Sequence, residues 1–327
     1  MRHFVRSHAL AAVCAATLFT LVHPAHAQKT IAIAVNGPHA ALKATEDAFK
    51  AELVRLGHTE GKDVVFKTSM GNFTPALIPQ LLAQAEASNP ALLLTITTPV
   101  TQTARSVIKN PNLPIVFTVV SDPVKAQVVP SWEKGSDRFV GVSNFQNMDA
   151  MFTFAKQLFP AAKTVGLLFN PGEANDVAHV EAANAAGAKQ GIAIRTAAVD
   201  NVNDIAPRVQ ALRGVDFIYI LPSNMLIPAA PAISAASAQI NVPLISSSSP
   251  IVRQHGAVAS YGVDYSKQGQ IAARMADQIL KGRKTSDMAN HRPEADDNEA
   301  VFSARQLERF KAQVPAAWRS CAACLVQ

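Results

Sequence analysis

At 327 residues, with 17% charged residues and a formal net charge of +6, the chain is too long for one small core and too weakly basic to be organised around a polyanion. Its lysines and arginines are scattered rather than massed, which argues against nucleic acid as a partner. A chain of this length is expected to divide into two lobes.

The N-terminus reads as an address. Arg2 and Arg6 precede an apolar run, and Ala25-His26-Ala27 supplies small residues where a peptidase would cut, so residues 1–27 read as a secretory signal peptide cleaved after Ala27. Cys14 follows Val13, so the small residue expected before a lipidated cysteine is missing, and a lipoprotein is the weaker reading. The run is also broken by Thr17, Thr20 and His23, short of the roughly 20 apolar residues that span a bilayer. Secretion places the mature chain in the periplasm. Losing two arginines lowers its charge to about +4.

Strands are expected at 31–35, 63–68, 91–97, 114–120, 164–169, 192–199, 215–221 and 242–246. Helical spacing fills the intervals: Leu42, Thr45, Phe49, Leu53 and Leu56 form one stripe, with Gly57 placed to end it. Other stripes run through Leu77, Ile78, Leu81 and Leu82, through Phe152, Ala155, Leu158 and Phe159, and through Ile271, Met275 and Ile279. Strand and helix alternate, which defines an α/β fold with parallel sheets.

The two kinds of loop differ. Loops entering strands, such as GHTEGKD and RGVD, are plain charged or glycine turns. Loops leaving strands are NGPH (36–39), TTP (97–99), SDP (121–123), NPG (170–172), PSN (222–224) and SSSSP (246–250). Turn and cap chemistry alone explains any one of them. Six on one edge mark a crevice beyond the carboxyl ends of the strands, where a small polar ligand binds. This places Ser223 and Ser247 among the candidate contacts.

The alternation is interrupted at FVGVSNFQN (139–147), at AVASYGVDY (257–265) and at ANHRPEADDNEA (289–300), the second just before a long helix at 266–281. Three crossings between two lobes form a hinge, with residues 28–145 plus 264–288 in one lobe and 146–263 plus 289–327 in the other. Asp264 lies at the second crossing and joins the candidate set. Cys321 and Cys324 near the C-terminus lack the context of a redox helix or a zinc site, so a local disulfide is expected, with free thiols as the alternative.

Taken in order, HAALKATEDAF (39–49), LGHTEGKDV (56–64), TTPVTQTA (97–104), PIVFTVVSDPV (114–124), GVSN (141–144), FNPGEANDV (169–177) and GVDYSKQGQIAARMADQILKG (262–282) resemble ABC-transporter substrate-binding proteins of the type I periplasmic fold. The similar group includes receptors for tryptophan and other aromatic amino acids. The resemblance implies a monomeric receptor with two Rossmann-like lobes and a three-segment hinge. It also implies no cofactor and no bound metal, a small-molecule solute, and an ABC permease in the inner membrane as partner. It points to His39, Thr98, Gln102, Ser121, Asp122, Asn170, Glu173 and Asn175 as cleft residues. An amino-acid ligand would need donors for its carboxylate, near Thr97 and Thr98, and a carboxylate for its ammonium, from Asp122 or Glu173. Asp122 could equally cap the turn before Pro123, and Glu173 could offset a helix dipole. Asn144, Asn224 and Ser248 stand where the family often has acids or serine, and Asp176 where it has a small hydroxyl. Phe73, Tyr261 and Tyr265 could stack on an aromatic solute.

A signalling sensor subunit has the same requirements as a transport receptor. An α/β enzyme is the remaining rival, but no nucleophile elbow, phosphate loop, dinucleotide fingerprint or zinc-protease helix is present. His39, His58, His179, His255 and His291 are widely separated and read as surface or turn residues.

Overall fold

The computed structural model describes residues 28–327; the signal-peptide reading falls on residues outside these. In chain order the elements are β1 (Lys29–Val35), α1 (Ala40–Arg55), β2 (Val64–Met70), α2 (Ile78–Ala87), β3 (Leu92–Ile96), α3 (Thr98–Val107), β4 (Ile115–Val120) and β5 (Phe139–Ser143). They continue with α4 (Met148–Leu158), β6 (Thr164–Phe169), α5 (Ala174–Gln190), β7 (Ala193–Ala198), α6 (Ile205–Ala211), β8 (Phe217–Ile220), α7 (Ala230–Ile240) and β9 (Leu244–Ser246). The remainder are α8 (Ser249–His255), β10 (Ala259–Val263), α9 (Tyr265–Leu280), β11 (Asn298–Ser303), α10 (Ala304–Arg309) and β12 (Leu325–Val326).

Two sheets result, one of order β2-β1-β3-β4-β5 and one of order β12-β11-β10-β9-β8-β6-β7. In the first, every pairing is parallel. Alternation along β1 sends Ile31, Ile33 and Val35 into a core with Phe49, Leu53 and Ala272, while Ala32 and Ala34 face Leu82 and Ala104. Helices therefore cover both faces, as a parallel sheet of continuous apolar strands requires. The second sheet repeats the arrangement, with Val165, Leu167 and Tyr219 on one face and Leu168, Ile218 and Ile220 on the other. This is the type I periplasmic-binding architecture.

Two segments differ from expectation. Residues 257–265 contain β10, and the polar stretch 289–300 runs into β11, which pairs antiparallel with β10 through Ala259 and Phe302. A strand of this length takes its identity from its partner, and Asn298 and Glu299 disguise the apolar Ala300-Val301-Phe302 that follows. A Cβ at Gly262 would collide with the Ser247 carbonyl, so glycine in this strand marks a close backbone approach.

Three segments cross between the sheets, after β5, at Asp264 and after α9. They are tied together: Ser143 N–H donates to the His291 carbonyl, Gln268 Nε2 to the Ser143 carbonyl at 2.8 Å, and Asp264 N–H to the Asp297 carbonyl. Asn290 and His291, expected in the second lobe, bond to the first through Trp132 and Gly141. Cys321 and Cys324 form the local disulfide, beside the second sheet's core.

Candidate functional site

The loops leaving β1, β3 and β4 face those leaving β6 and β8 across a cleft between the sheets. At its floor is a cavity with about 350 Å³ of space free of protein atoms, lined from the first lobe by His39, Leu42, Phe73, Thr98, Val119, Ser121, Asn144 and Tyr265. Asn175, Pro222, Ser223, Asn224, Ile227 and Pro228 close it from the second. The room left in it for a water-sized sphere is about 20 Å³, so the two lobes stand close over the site. Outside it lies a larger vestibule, about 1360 Å³ and open to solvent, which takes in Gln102, Asn170 and Glu173.

On the first lobe the free groups are donors. His39 ends the β1 loop and caps α1, its Nδ1 accepting from Ala41 N–H at 3.1 Å. Burial lowers its pKa to about 4, so the ring is neutral and must carry its proton on Nε2. Thr98 Oγ1 accepts from Ser121 N–H at 3.4 Å, which leaves its own hydrogen to give. Ser121 Oγ donates to Asn144 Oδ1 at 3.3 Å and so turns the Asn144 amide nitrogen, a donor, toward the Tyr265 hydroxyl. Burial pushes the Tyr265 hydroxyl up to about 12, keeping it protonated.

On the second lobe the free groups are acceptors. Asn175 Nδ2 is taken up by Glu173 Oε2 at 3.0 Å, Asp176 Oδ1 at 2.8 Å and the Pro222 carbonyl at 3.3 Å. Asn224 Nδ2 donates to the same Glu173 oxygen at 2.8 Å and to Asn175 Oδ1 at 3.5 Å. The Asn224 backbone N–H also reaches Glu173 Oε2 and Met225 N–H reaches Oε1, each at 3.0 Å. Glu173 thus fastens the turn after β6 to the loop after β8. With both amide nitrogens consumed, it is the Asn175 and Asn224 oxygens that are left for a ligand.

Backbone strain gathers here. Thr97 has φ 94°, Val119 φ 57° and Phe73 φ 57°, a left-handed region that β-branched and aromatic residues rarely enter. Such conformations cost about 1–3 kcal/mol each and cluster at binding sites.

Other candidates lie outside the cavity lining. Asp122 Oδ1 caps its own turn, accepting from Val124 and Lys125 N–H at 3.0 and 2.9 Å. Asp264 does the same for Ser266 and Lys267 at the start of α9. Asp176 is fully buried, its Oδ2 accepting from Asn170 N–H at 2.8 Å. Burial, then the Glu173 charge, raises its pKa well above the carboxylate range. Thr97, Ser247 and Ser248 are buried with hydroxyls that find no partner. Tyr261 stacks on Phe154 at 4.9 Å inside the second lobe. His179, expected at the surface, is fully buried beside the first crossing. Leu42, Val119, Pro222, Ile227 and Pro228 escaped the sequence reading, which followed polar residues; only the position of Pro222 in a strand-end loop signalled it.

A cleft between two mostly parallel sheets, joined by three crossings and lined from both sides, defines a two-lobed solute-binding protein. The chain matches the family model for ABC transporter substrate binding proteins over residues 30–315 and belongs to that family. It is 26% identical over 262 residues to a tyrosine-binding protein of Clostridioides difficile, covering 80% of this chain and 75% of that one. Among solved structures, a conserved domain protein of Vibrio cholerae superposes with a TM-score of 0.85 at 28% identity, covering 91% of this chain and all of that one. A Streptococcus pneumoniae ABC domain in complex with L-Trp gives 0.84 at 23% identity with the same coverage. The chain is a solute receptor of the ABC-transport type.

Proposed function

We propose that this receptor is non-catalytic and captures a free amino acid, aromatic in its side chain, in the periplasm, and that as a monomer it hands the solute to an inner-membrane permease. The observation that carries the reading is the split of hydrogen-bond polarity across the cavity. A carboxylate suits the donor wall of His39, Thr98, Asn144 and Tyr265. An ammonium suits the Asn175 and Asn224 oxygens, with the Glu173 charge behind them. Phe73, Tyr265, Leu42, Val119 and Ile227 supply an apolar surround for a ring. Tyrosine and tryptophan in the names of the relatives point the same way.

Against catalysis stand the commitments of the titratable groups. His39 is neutral and caps a helix, while Glu173 accepts from four N–H groups. The two lobes, 28–145 plus 264–288 and 146–263 plus 289–327, would close over the solute about the three crossings.

The test is a thermal-shift and calorimetric screen of residues 28–327, unfolded and refolded to strip carried ligand. Solute at about 100 times its Kd stabilises by roughly 2.7 kcal/mol. Tyrosine, tryptophan or phenylalanine should raise Tm where lysine, glutamate and glucose do not; no shift with any amino acid overturns the reading. Cell fractionation, with an N-terminus at Gln28 on the recovered protein, checks the address.

A further inference from the structure

Two charged side chains meet across the cleft. Lys125 Nζ, in the loop after β4 of the first sheet, donates to Glu181 Oε2, on α5 of the second lobe, at 2.5 Å. Among the described residues this is the ion pair that joins the two lobes. The others lie within one lobe or, for His291 with Asp297, inside the third crossing.

Both ends of the pair are fixed to the cavity walls. Lys125 follows the turn that begins at Ser121, a cavity residue, and its N–H donates to Asp122 Oδ1 at 2.9 Å, which sets where the lysine leaves the backbone. The Ala126 carbonyl beside it accepts from Gln102 Nε2 on α3 at 3.3 Å. Glu181 stands under two turns along α5 from Asn175, another cavity residue, roughly 9 Å of helix rise. Any change in the separation of the walls is therefore a change in the separation of the two charges. The side chains are 55% and 59% exposed, so the pair packs into neither lobe and its attraction acts on the gap between them. The flexible four-carbon stem of lysine lets the contact follow small adjustments around a seated solute. Lobes swung apart would break it.

We propose that Lys125 and Glu181 are positioning residues for solute capture: neither touches the solute, and their attraction favours the closed arrangement and so raises affinity. This rests on the lobe closure that the receptor reading requires, and not on which solute is bound. The cavity lining holds no Asp, Glu, Lys or Arg, so the charges that salt would screen are those of this pair.

Calorimetry with tyrosine on refolded residues 28–327 compares the wild type, Lys125→Glu, Glu181→Lys and the double exchange. The salt levels are about 0.01 M and about 1 M, between which the screening length falls from roughly 30 Å to 3 Å. Because both positions are exposed, all four should share one melting temperature. At low salt each single variant sets like charges face to face and should bind about fivefold more weakly, while the double exchange should bind as the wild type does. At high salt the four should converge. Single variants as tight as the wild type at low salt, or a double exchange no better than the singles, overturn the pair's role and leave the receptor standing. Failure of tyrosine to bind any of the four counts against the solute assignment alone, and small-angle scattering of the solute-free proteins then decides. The single variants should show a larger radius of gyration at low salt than the wild type and the double exchange; four equal radii overturn the proposal.

Discussion

The ring of Phe73 lies directly over the Cα of Gly37, where a Cβ would come within 2.5 Å of it. The two are held together by the Phe73 N–H donating to the Asn36 carbonyl at 2.7 Å, with Phe73 itself in the left-handed region. A side chain at position 37 would drive the ring off its seat in the cavity wall. Gly37→Ala should therefore weaken solute binding by about tenfold or more, while Tm falls by only a few degrees, since a shift of one side chain costs about 1–3 kcal/mol. Calorimetric titration with the solute from the screen checks the first effect and a melting curve the second. Unchanged affinity would mean that the ring does not contribute to the wall.

Glu173 accepts three of the hydrogen bonds that join the turns after β6 and β8, beside those that Asn175 makes with Pro222 and Asn224. Glu173→Gln retains the shape but sets an amide N–H₂ against backbone and side-chain donors. Charge-assisted hydrogen bonds contribute about 1.5–3 kcal/mol, so urea unfolding should show a loss of that order. The Asn175 and Asn224 amides would also be free to rotate, and affinity should drop. A variant with wild-type stability would show that the clasp carries no net energy.

The two walls of the site were unequally legible in the sequence. Polar residues at strand ends located the crevice, because in a parallel sheet those ends share one edge. What each polar residue does there was not legible, since Asp122 and Asp264 spend their carboxylates on N–H groups two or three residues away. Asp176 belongs to the same class: it looks like a free acid in a loop and is a buried anchor for Asn170 and Asn175. The apolar wall was hidden for the opposite reason. Leu42 opens a regular helical stripe, and nothing in the pattern says that the first turn of α1 faces the cleft while Phe49 and Leu53 face the core.

Acid should reveal the buried imidazoles. His39 and His179 both have pKa values lowered by burial from 6.5 to about 4. Between these values the unfolded chain binds more protons than the folded one, so their contribution is intact above pH 6.5 and lost as pH falls through 4. Asp176 works in the opposite sense: its raised pKa favours the fold at low pH and loses that contribution as pH rises. His39→Asn isolates one term, because asparagine can still cap α1. Relative to wild type, the variant should be more stable at pH 4.5 than at pH 7.5, as read by urea midpoints. An equal difference at both values would place His39 in water.

His179 ties the cavity to the hinge. On α5 its Nδ1 donates to the Asn175 carbonyl at 2.7 Å, and its Nε2 accepts from Gln146 N–H, in the first crossing, at 3.1 Å. The neighbouring Phe145 ring stacks on it at 5.3 Å. Removing the imidazole strands a buried backbone N–H in the segment about which the lobes would move, and such an orphan costs about 1–3 kcal/mol. His179→Ala should lose at least that, plus the cavity it leaves. His179→Gln, which can restore an acceptor for Gln146, should recover part of the stability. If the first crossing and the Asn175 turn move as one unit, solute affinity should follow the same order, wild type above His179→Gln above His179→Ala. Stability that falls while affinity holds would show the imidazole to be core packing alone.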